Sequence, residues 1–345
     1  MMTRQKFLLP IFYFACLGLF LPCTSPAQTA RMDVLTFDSQ VLKNNPLKDP
    51  IRRNVAIFLP SQATNGAHLP IIYYLPGYGS SSDQFIESSN FWTKRIQMIS
   101  DQITPMILVV VDGRTRWGGS QYLNSSAQGN YEDYVCKEIA GRVETKYPAP
   151  KQGLRRIVAG HSSGGYGALR LGMSHQKLFD GVIALSPDAD FPVTQIPLVE
   201  VPGVTNFNLE QIHQIASGQS PMPNGDLGYA FGLSAAYSPT GPAHPGEFDW
   251  IYDASGQMRP SVLQRWMDND PTTIAAHNPH AFAVTQSIYL DGAAQDEYKA
   301  NLGAKSVYDI LSAEKFHCTF NEPPGHHTDH IAERLQHGLQ WLSIR

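Results

Sequence analysis

Ser162 is the residue whose setting most clearly calls for chemistry. It stands in Gly160-His-Ser-Ser-Gly164, a G-x-S-x-G pattern, with the β-branched run Arg156–Ala159 before it and the helix-forming Ala168, Leu169 and Leu171 after it. A strand, a sharp turn and a helix are the context in which such a serine serves as an acyl-accepting nucleophile. The flanking glycines remove side chains from a crowded elbow, and the helix N-terminus behind it favours negative charge developing there. A serine hydroxyl is a poor nucleophile until a base takes its proton, and that base needs an orienting acid. In this arrangement the acid and then the histidine follow the serine along the chain. Ser287-Ile-Tyr-Leu-Asp-Gly-Ala-Ala-Gln-Asp-Glu-Tyr298 offers Asp296, with Asp291 as competitor. Pro324-Gly-His-His-Thr-Asp-His330 offers His327, with His326 beside it. Two amides are also needed for the tetrahedral oxyanion. Ser163, opening the helix, and Tyr78, in Leu75-Pro-Gly-Tyr-Gly79 after an early strand, are placed to supply them.

His326, His327, Asp329 and His330 could instead be read as metal ligands, but Pro324 occupies the position where the nearest metal-hydrolase signature carries another histidine. The expectation is therefore no metal and no organic cofactor. His161 and His175 read as packing or solvated residues.

These residues need a frame. Apolar, β-branched runs recur at Val55–Leu59, Ile71–Leu75, Met106–Val111, Arg156–Ala159, Val182–Leu185, Ser287–Leu290 and Phe316–Phe320. Helical spacing appears over 83–100, over 131–146, and at Ile331, Leu335, Leu339 and Leu342. Alternation of the two predicts an α/β fold: a mostly parallel central sheet with helices on both faces. From about 188 to 270 the rhythm fails, Pro and Gly are frequent, and Phe207, Tyr229, Phe231, Tyr237, Phe248, Trp250 and Tyr252 are scattered. This predicts an ordered, irregular insertion over the sheet edge that contributes to a substrate pocket.

The 345 residues, 16% charged with 28 Gly and 25 Pro, exclude a coiled coil, a collagen-like repeat and a disordered tail. Arg4 and Lys6, the apolar run Phe7–Pro22 and the small residues Ser25 and Ala27 read as a secretory signal peptide spanning 1–27, ahead of one domain at 28–345. Its removal leaves 24 Lys and Arg against 30 Asp and Glu, a formal charge of −6. That balance excludes nucleic acid as a natural partner, and no later run is apolar and long enough to cross a membrane. A secreted or periplasmic location follows. Cys136 and Cys318 remain, either as a disulfide or as two separate buried thiols.

Together the motifs resemble the putative-esterase family of α/β-hydrolases, which includes S-formylglutathione hydrolase, feruloyl esterases and mycolyltransferases. The likeness runs through Tyr74-Leu-Pro-Gly-Tyr-Gly79, with Pro76 where many relatives have His, then Val111-Asp-Gly-Arg114, Gly118–Ser125 and Gly129–Val135. It is strongest in Gly160–Arg170, where Ser163 replaces the usual Met. Leu290–Tyr298 resembles the acid loop and favours Asp296; Gly325-His-His-Thr328 resembles a Gly-Gly-His segment and favours His327. The resemblance implies the α/β-hydrolase fold and cofactor-free ester hydrolysis, with Ser162, His327 and Asp296 as triad and Tyr78 and Ser163 as oxyanion donors. Export points away from glutathione thioesters and toward feruloyl, acetyl or similar esters of saccharides. The alternatives are an acyltransferase of the mycolyltransferase type and a non-catalytic carbohydrate-binding relative.

Overall fold

The computed structural model describes residues 29–205, 209–216, 219–221 and 225–343. The segment read as a signal peptide and the aromatic Phe207 lie outside the described residues. Eight strands form the main sheet: β1 (Arg31–Asp38), β2 (Arg52–Leu59), β3 (Ile71–Leu75), β4 (Ile107–Val110), β5 (Arg156–His161), β6 (Gly181–Leu185), β7 (Ser287–Asp291) and β8 (Cys318–Asn321). Their order is β1-β2-β4-β3-β5-β6-β7-β8. Strands β4, β3, β5, β6, β7 and β8 are parallel, and β2 is antiparallel to both β1 and β4.

The interior strands β3, β4 and β6 are buried along their whole length, which is why they read as unbroken apolar runs. β2 and β3 follow one another in sequence but do not pair, because β4 lies between them. Edge strand β1 did not stand out: it alternates, and it carries Arg31, Asp33 and Asp38.

Both faces are covered. On one face α1 (Ser89–Ser100) and the C-terminal α6 (Ile331–Ser343) bring Trp92, Ile96, Ile99, Leu335, Leu339 and Leu342 against Phe58, Ile72, Tyr74 and Ile183. On the other, α2 (Ala140–Lys146), α3 (Ser163–Ser174) and α5 (Ala300–Ala313) pack over Ile71, Tyr73, Val109, Val158 and Leu290. A π-helical turn, Tyr134–Ile139, precedes α2. The helical reading over 83–100 is broken at Ser88.

The insertion does not sit at the sheet edge as expected. It leaves the carboxyl end of β6 and returns to β7, and these two strands are neighbours within the sheet. A chain leaving at that point rises over the carboxyl ends of the interior strands. It is largely helical, with α4 (Gly225–Tyr237) at its centre. Most of its aromatics build a second core, in which Phe191, Phe231, Tyr237, Phe248, Trp250 and Trp266 surround Trp117 and Tyr166. Cys136 and Cys318 are both free thiols, Cys136 buried within the core.

The approach of α3 to β3 requires glycine. A Cβ at Gly164 would lie 1.8 Å from the Leu75 carbonyl oxygen, and one at Gly160 would lie 2.1 Å from that of Gly164. Since those atoms are backbone, no rotamer change relieves the clash. Gly164→Ala is expected to cost at least about 3 kcal/mol in urea unfolding, beyond an ordinary small-to-large change. The control Gly141→Ala, in α2 with nothing within 4 Å of the added methyl, is expected to be neutral or stabilising by up to about 1 kcal/mol.

Candidate active site

Ser162 occupies the turn between β5 and α3 with φ 59° and ψ −125°. A non-glycine residue there is strained and must be held by its surroundings. Its amide donates to the Leu185 carbonyl at 2.9 Å, and its own carbonyl accepts from the Tyr166 amide at 2.9 Å, the first turn of α3. The turn after β3 presses against it: a Cβ on Gly77 would lie 3.3 Å from the Ser162 Cβ. Tyr78 and Ser163 jointly line a void of about 10 Å³, room for roughly one water. The Tyr78 hydroxyl is anchored on the carbonyls of Trp117 and, at 3.0 Å, Gly228. Ser163 opens α3, where amides lack intrahelical acceptors.

His327 and Asp296 are brought together from the loops after β8 and β7. The His327 Nδ1–H donates to Asp296 Oδ2 at 2.8 Å, with both side chains buried. Burial alone would raise the Asp296 pKa. The His327 hydrogen bond and charge, with the Ser186 hydroxyl and Tyr298 amide, more than offset it and hold the carboxyl below its ordinary value. His327 and Ser162 line the same cavity, of about 520 Å³. With Nδ1 committed to Asp296, Nε2 is the nitrogen left to exchange a proton. The neighbouring His326 is exposed, 3.8 Å from Glu297. The structure thus puts Ser162 and His327 on one cavity wall, with Asp296 against His327, and leaves His326 exposed beside Glu297.

Asp291 belongs elsewhere. It is fully buried at the end of β7, and both its oxygens accept from Arg334 of α6, at 2.7 and 3.1 Å. The same guanidinium donates to the Ser186 hydroxyl at 2.7 Å and to the His327 carbonyl at 3.1 Å. The His327 backbone is further fixed by His161, whose Nε2–H donates to its carbonyl at 2.9 Å, and by Glu297, which accepts from its amide at 3.0 Å. Burial, with repulsion from His327, lowers the His161 pKa to about 3, so the imidazole stays neutral. Asp188 lies just beyond β6, buried, and its Oδ2 accepts from the Ser163 hydroxyl at 2.8 Å and from Gln121 at 3.3 Å.

Sequence reasoning passed over Arg334, Ser186, Glu297 and Asp188. One signal was available for Arg334: it stands beside Leu335 on the apolar stripe of α6, where an unpaired charge would be costly. Among the described residues, Tyr229 is the one of the insertion's scattered aromatics that lines the cavity. Among the described residues no cluster of three His, Cys, Asp or Glu is arranged to hold a metal ion, and no helix is long and apolar enough to cross a membrane.

Two consequences are measurable. Arg334→Met strands the Asp291 carboxylate in the core and is expected to cost about 3–5 kcal/mol by urea denaturation. Asp296→Asn, which keeps a neutral partner for His327, should cost well under half of that. His161 gives a pH signature. Its folded pKa of about 3 lies below the ordinary 6.5, so the unfolded chain takes up the proton first as pH falls. The stability due to neutral His161 is whole above 6.5 and drains away from 6.5 toward 3. Between pH 6.5 and about 5, where carboxylates titrate little, wild-type stability should decline with a slope that His161→Gln flattens. An unchanged slope in that variant would contradict the assignment.

Solved structures of like fold include a ferulic acid esterase, at 18% identity and TM-score 0.57, covering 92% of this chain and 98% of that one. A fluorophosphonate-binding serine hydrolase from Staphylococcus aureus matches at 15% identity and TM-score 0.59, over 91% of this chain and 99% of its own. An S-formylglutathione hydrolase from Agrobacterium tumefaciens matches at 14% identity and TM-score 0.58, over 93% and 97%. At such identities the likeness is one of fold. The family model described as "Putative esterase" matches residues 50–317, well over half of the chain. The protein therefore belongs to that esterase family and has the α/β-hydrolase fold.

Proposed function

We propose that the enzyme hydrolyses its ester through an acyl-enzyme on Ser162, with His327 as base and Asp296 as its orienting acid. The observation that carries this reading is the buried 2.8 Å contact between His327 Nδ1 and Asp296, on the wall of the cavity that Ser162 also lines. The family match ends before His327, so the role of that residue rests on geometry.

In the first step the Ser162 hydroxyl adds to the ester carbonyl carbon as its proton passes to His327 Nε2. Asp296 keeps the imidazole in the required tautomer and stabilises the imidazolium that forms. The amides of Tyr78 and Ser163 take the oxyanion. Collapse of the tetrahedral intermediate expels the alcohol, which leaves with the proton from His327. Water then repeats the sequence on the acyl-enzyme and releases the acid. The substrates we assign are feruloyl, acetyl or similar esters of saccharides, met outside the cytoplasm after removal of the N-terminal leader.

The test is cleavage of p-nitrophenyl acetate by the purified protein lacking residues 1–27. Ser162→Ala is expected to lower kcat by at least about 10⁴, and Asp296→Asn by up to about 10⁴ through the wrong imidazole tautomer. A fluorophosphonate probe should label the wild type and leave Ser162→Ala unlabelled. Equal turnover by Ser162→Ala would remove that serine from the mechanism.

A further inference from the structure

The walls of the cavity over Ser162 carry an uneven charge. Asp188 and Asp226 line it, and no Lys or Arg does among the described residues. The imbalance extends through the covering segment. From Pro187 to Met258 the sequence has eight Asp and Glu and no Lys or Arg. The first cations beyond it, Arg259 and Arg265, are both taken by Asp249, at 3.2 and 2.7 Å. Arg334 is committed to Asp291 behind the His327 loop.

The two cavity carboxyls differ in their surroundings. Asp188 is buried and already receives Ser163, Gln121 and the Tyr229 hydroxyl. Asp226 is exposed in the first turn of α4, where the helix N-terminus favours a carboxylate, and no described residue pairs with it. The 44% exposed Tyr298 also lines the cavity and packs edge-on against the His327 ring with centroids 4.8 Å apart. The Tyr229 hydroxyl is spent on Gln195 Oε1 at 2.6 Å and Asp188 Oδ2 at 3.3 Å. A ligand here meets carboxylate acceptors and an aromatic face, and no cation to neutralise a negative charge.

Resting on the hydrolase reading above, we propose that this cavity selects esters of uncharged, hydroxyl-bearing alcohols and rejects anionic ones, with Asp226 and Asp188 as the discriminating residues. Hydroxyl groups donate to the carboxylates and a ring lies on Tyr298. A substrate carboxylate meets like charge inside a partly enclosed, low-dielectric site, where repulsion is strong. The glutathione moiety carries two carboxylates and one ammonium, so its thioesters fall in the rejected class.

Two matched pairs test this. S-acetyl-N-acetylcysteamine and S-acetylglutathione present similar thioesters, neutral and anionic. The neutral one is expected to have a kcat/KM at least about tenfold higher. Asp226→Asn should narrow that ratio severalfold, Asp188→Asn with Asp226→Asn should narrow it further, and 0.5 M salt should do so in the wild type. Methyl 6-O-acetylglucoside should be preferred over cyclohexylmethyl acetate, a neutral ester without hydroxyls. A glutathione thioester cleaved as well as its neutral partner, or a ratio indifferent to Asp226→Asn, overturns the proposal. So does preference for the cyclohexyl ester. If p-nitrophenyl acetate is cleaved while those results are obtained, this inference alone fails. If the wild type cleaves no ester at all, the hydrolase reading fails and takes this one with it.

Discussion

One guanidinium joins the parts of the candidate site that come from distant stretches of chain. Arg334 enters from the C-terminal helix and lies 2% exposed among the ends of β6 and β7 and the His327 loop. Its fork spans both oxygens of Asp291, the Ser186 hydroxyl and the His327 carbonyl. Removing a charge pair from water is expensive, so such a pair contributes little to stability unless every donor and acceptor is met. Here the donors of the fork find acceptors on three separate segments. The cost of burial is offset by fixing where those segments lie relative to one another. Ser186 extends the network, since its hydroxyl also supports Asp296. The acid that orients His327 and the acid that anchors Arg334 are thus two carboxylates, five residues apart, with different work.

The serine side of the cavity is fixed by sterics instead. Strand β5 and helix α3 meet at an angle that forces Ser162 to a positive φ. Gly160 and Gly164 let the chain turn against Leu75 with no side chain between. The strain is sustained because the elbow is bound at both sides, by Leu185 and by the first turn of α3. A hydroxyl held there has few orientations to lose when it reacts, which is what preorganisation means at this position.

The buried strands were legible because a strand covered on both faces must be apolar throughout, as in Ile71–Leu75 and Ile107–Val110. Edge strand β1 was not, because half its side chains face water. The nucleophile was legible because strand, glycine-flanked turn and helix are local in sequence. Spacing and residue type left Asp291 and Asp296 both open, and only the likeness of Leu290–Tyr298 to the family's acid loop favoured Asp296. Asp291 ends β7, Asp296 follows it, and both are acidic. What separates them is Arg334, a side chain 43 residues from Asp291, whose partner no local pattern names. The insertion does line the cavity, but most of its described aromatics do not, because rings bury large areas and serve cores first. Phe231 and Phe248 pack on Trp117, Trp250 packs on Phe231, and among the described aromatics of the insertion Tyr229 reaches the cavity.

This division has a consequence for how the enzyme is built. The sheet, the elbow and the Arg334 network hold the reacting groups, and the elbow helix α3 reaches the second aromatic core through Tyr166. The insertion, with its own buried centre around Phe231 and Trp250, supplies Asp188, Gln195, Asp226 and Tyr229 to the cavity wall. Chemistry and selectivity therefore rest on two packed units that share Trp117 and Tyr166 and touch at further points near the site. Tyr78, tied to Gly228 and edge-on to the Tyr229 ring at 4.8 Å, is one of them. Asp188, joined to Ser163, is another. A change in the insertion that leaves those contacts whole alters what enters the cavity without disturbing His327 and Asp296. A change that breaks them moves the loop carrying Tyr78 or the start of α3, and so reaches the chemistry itself.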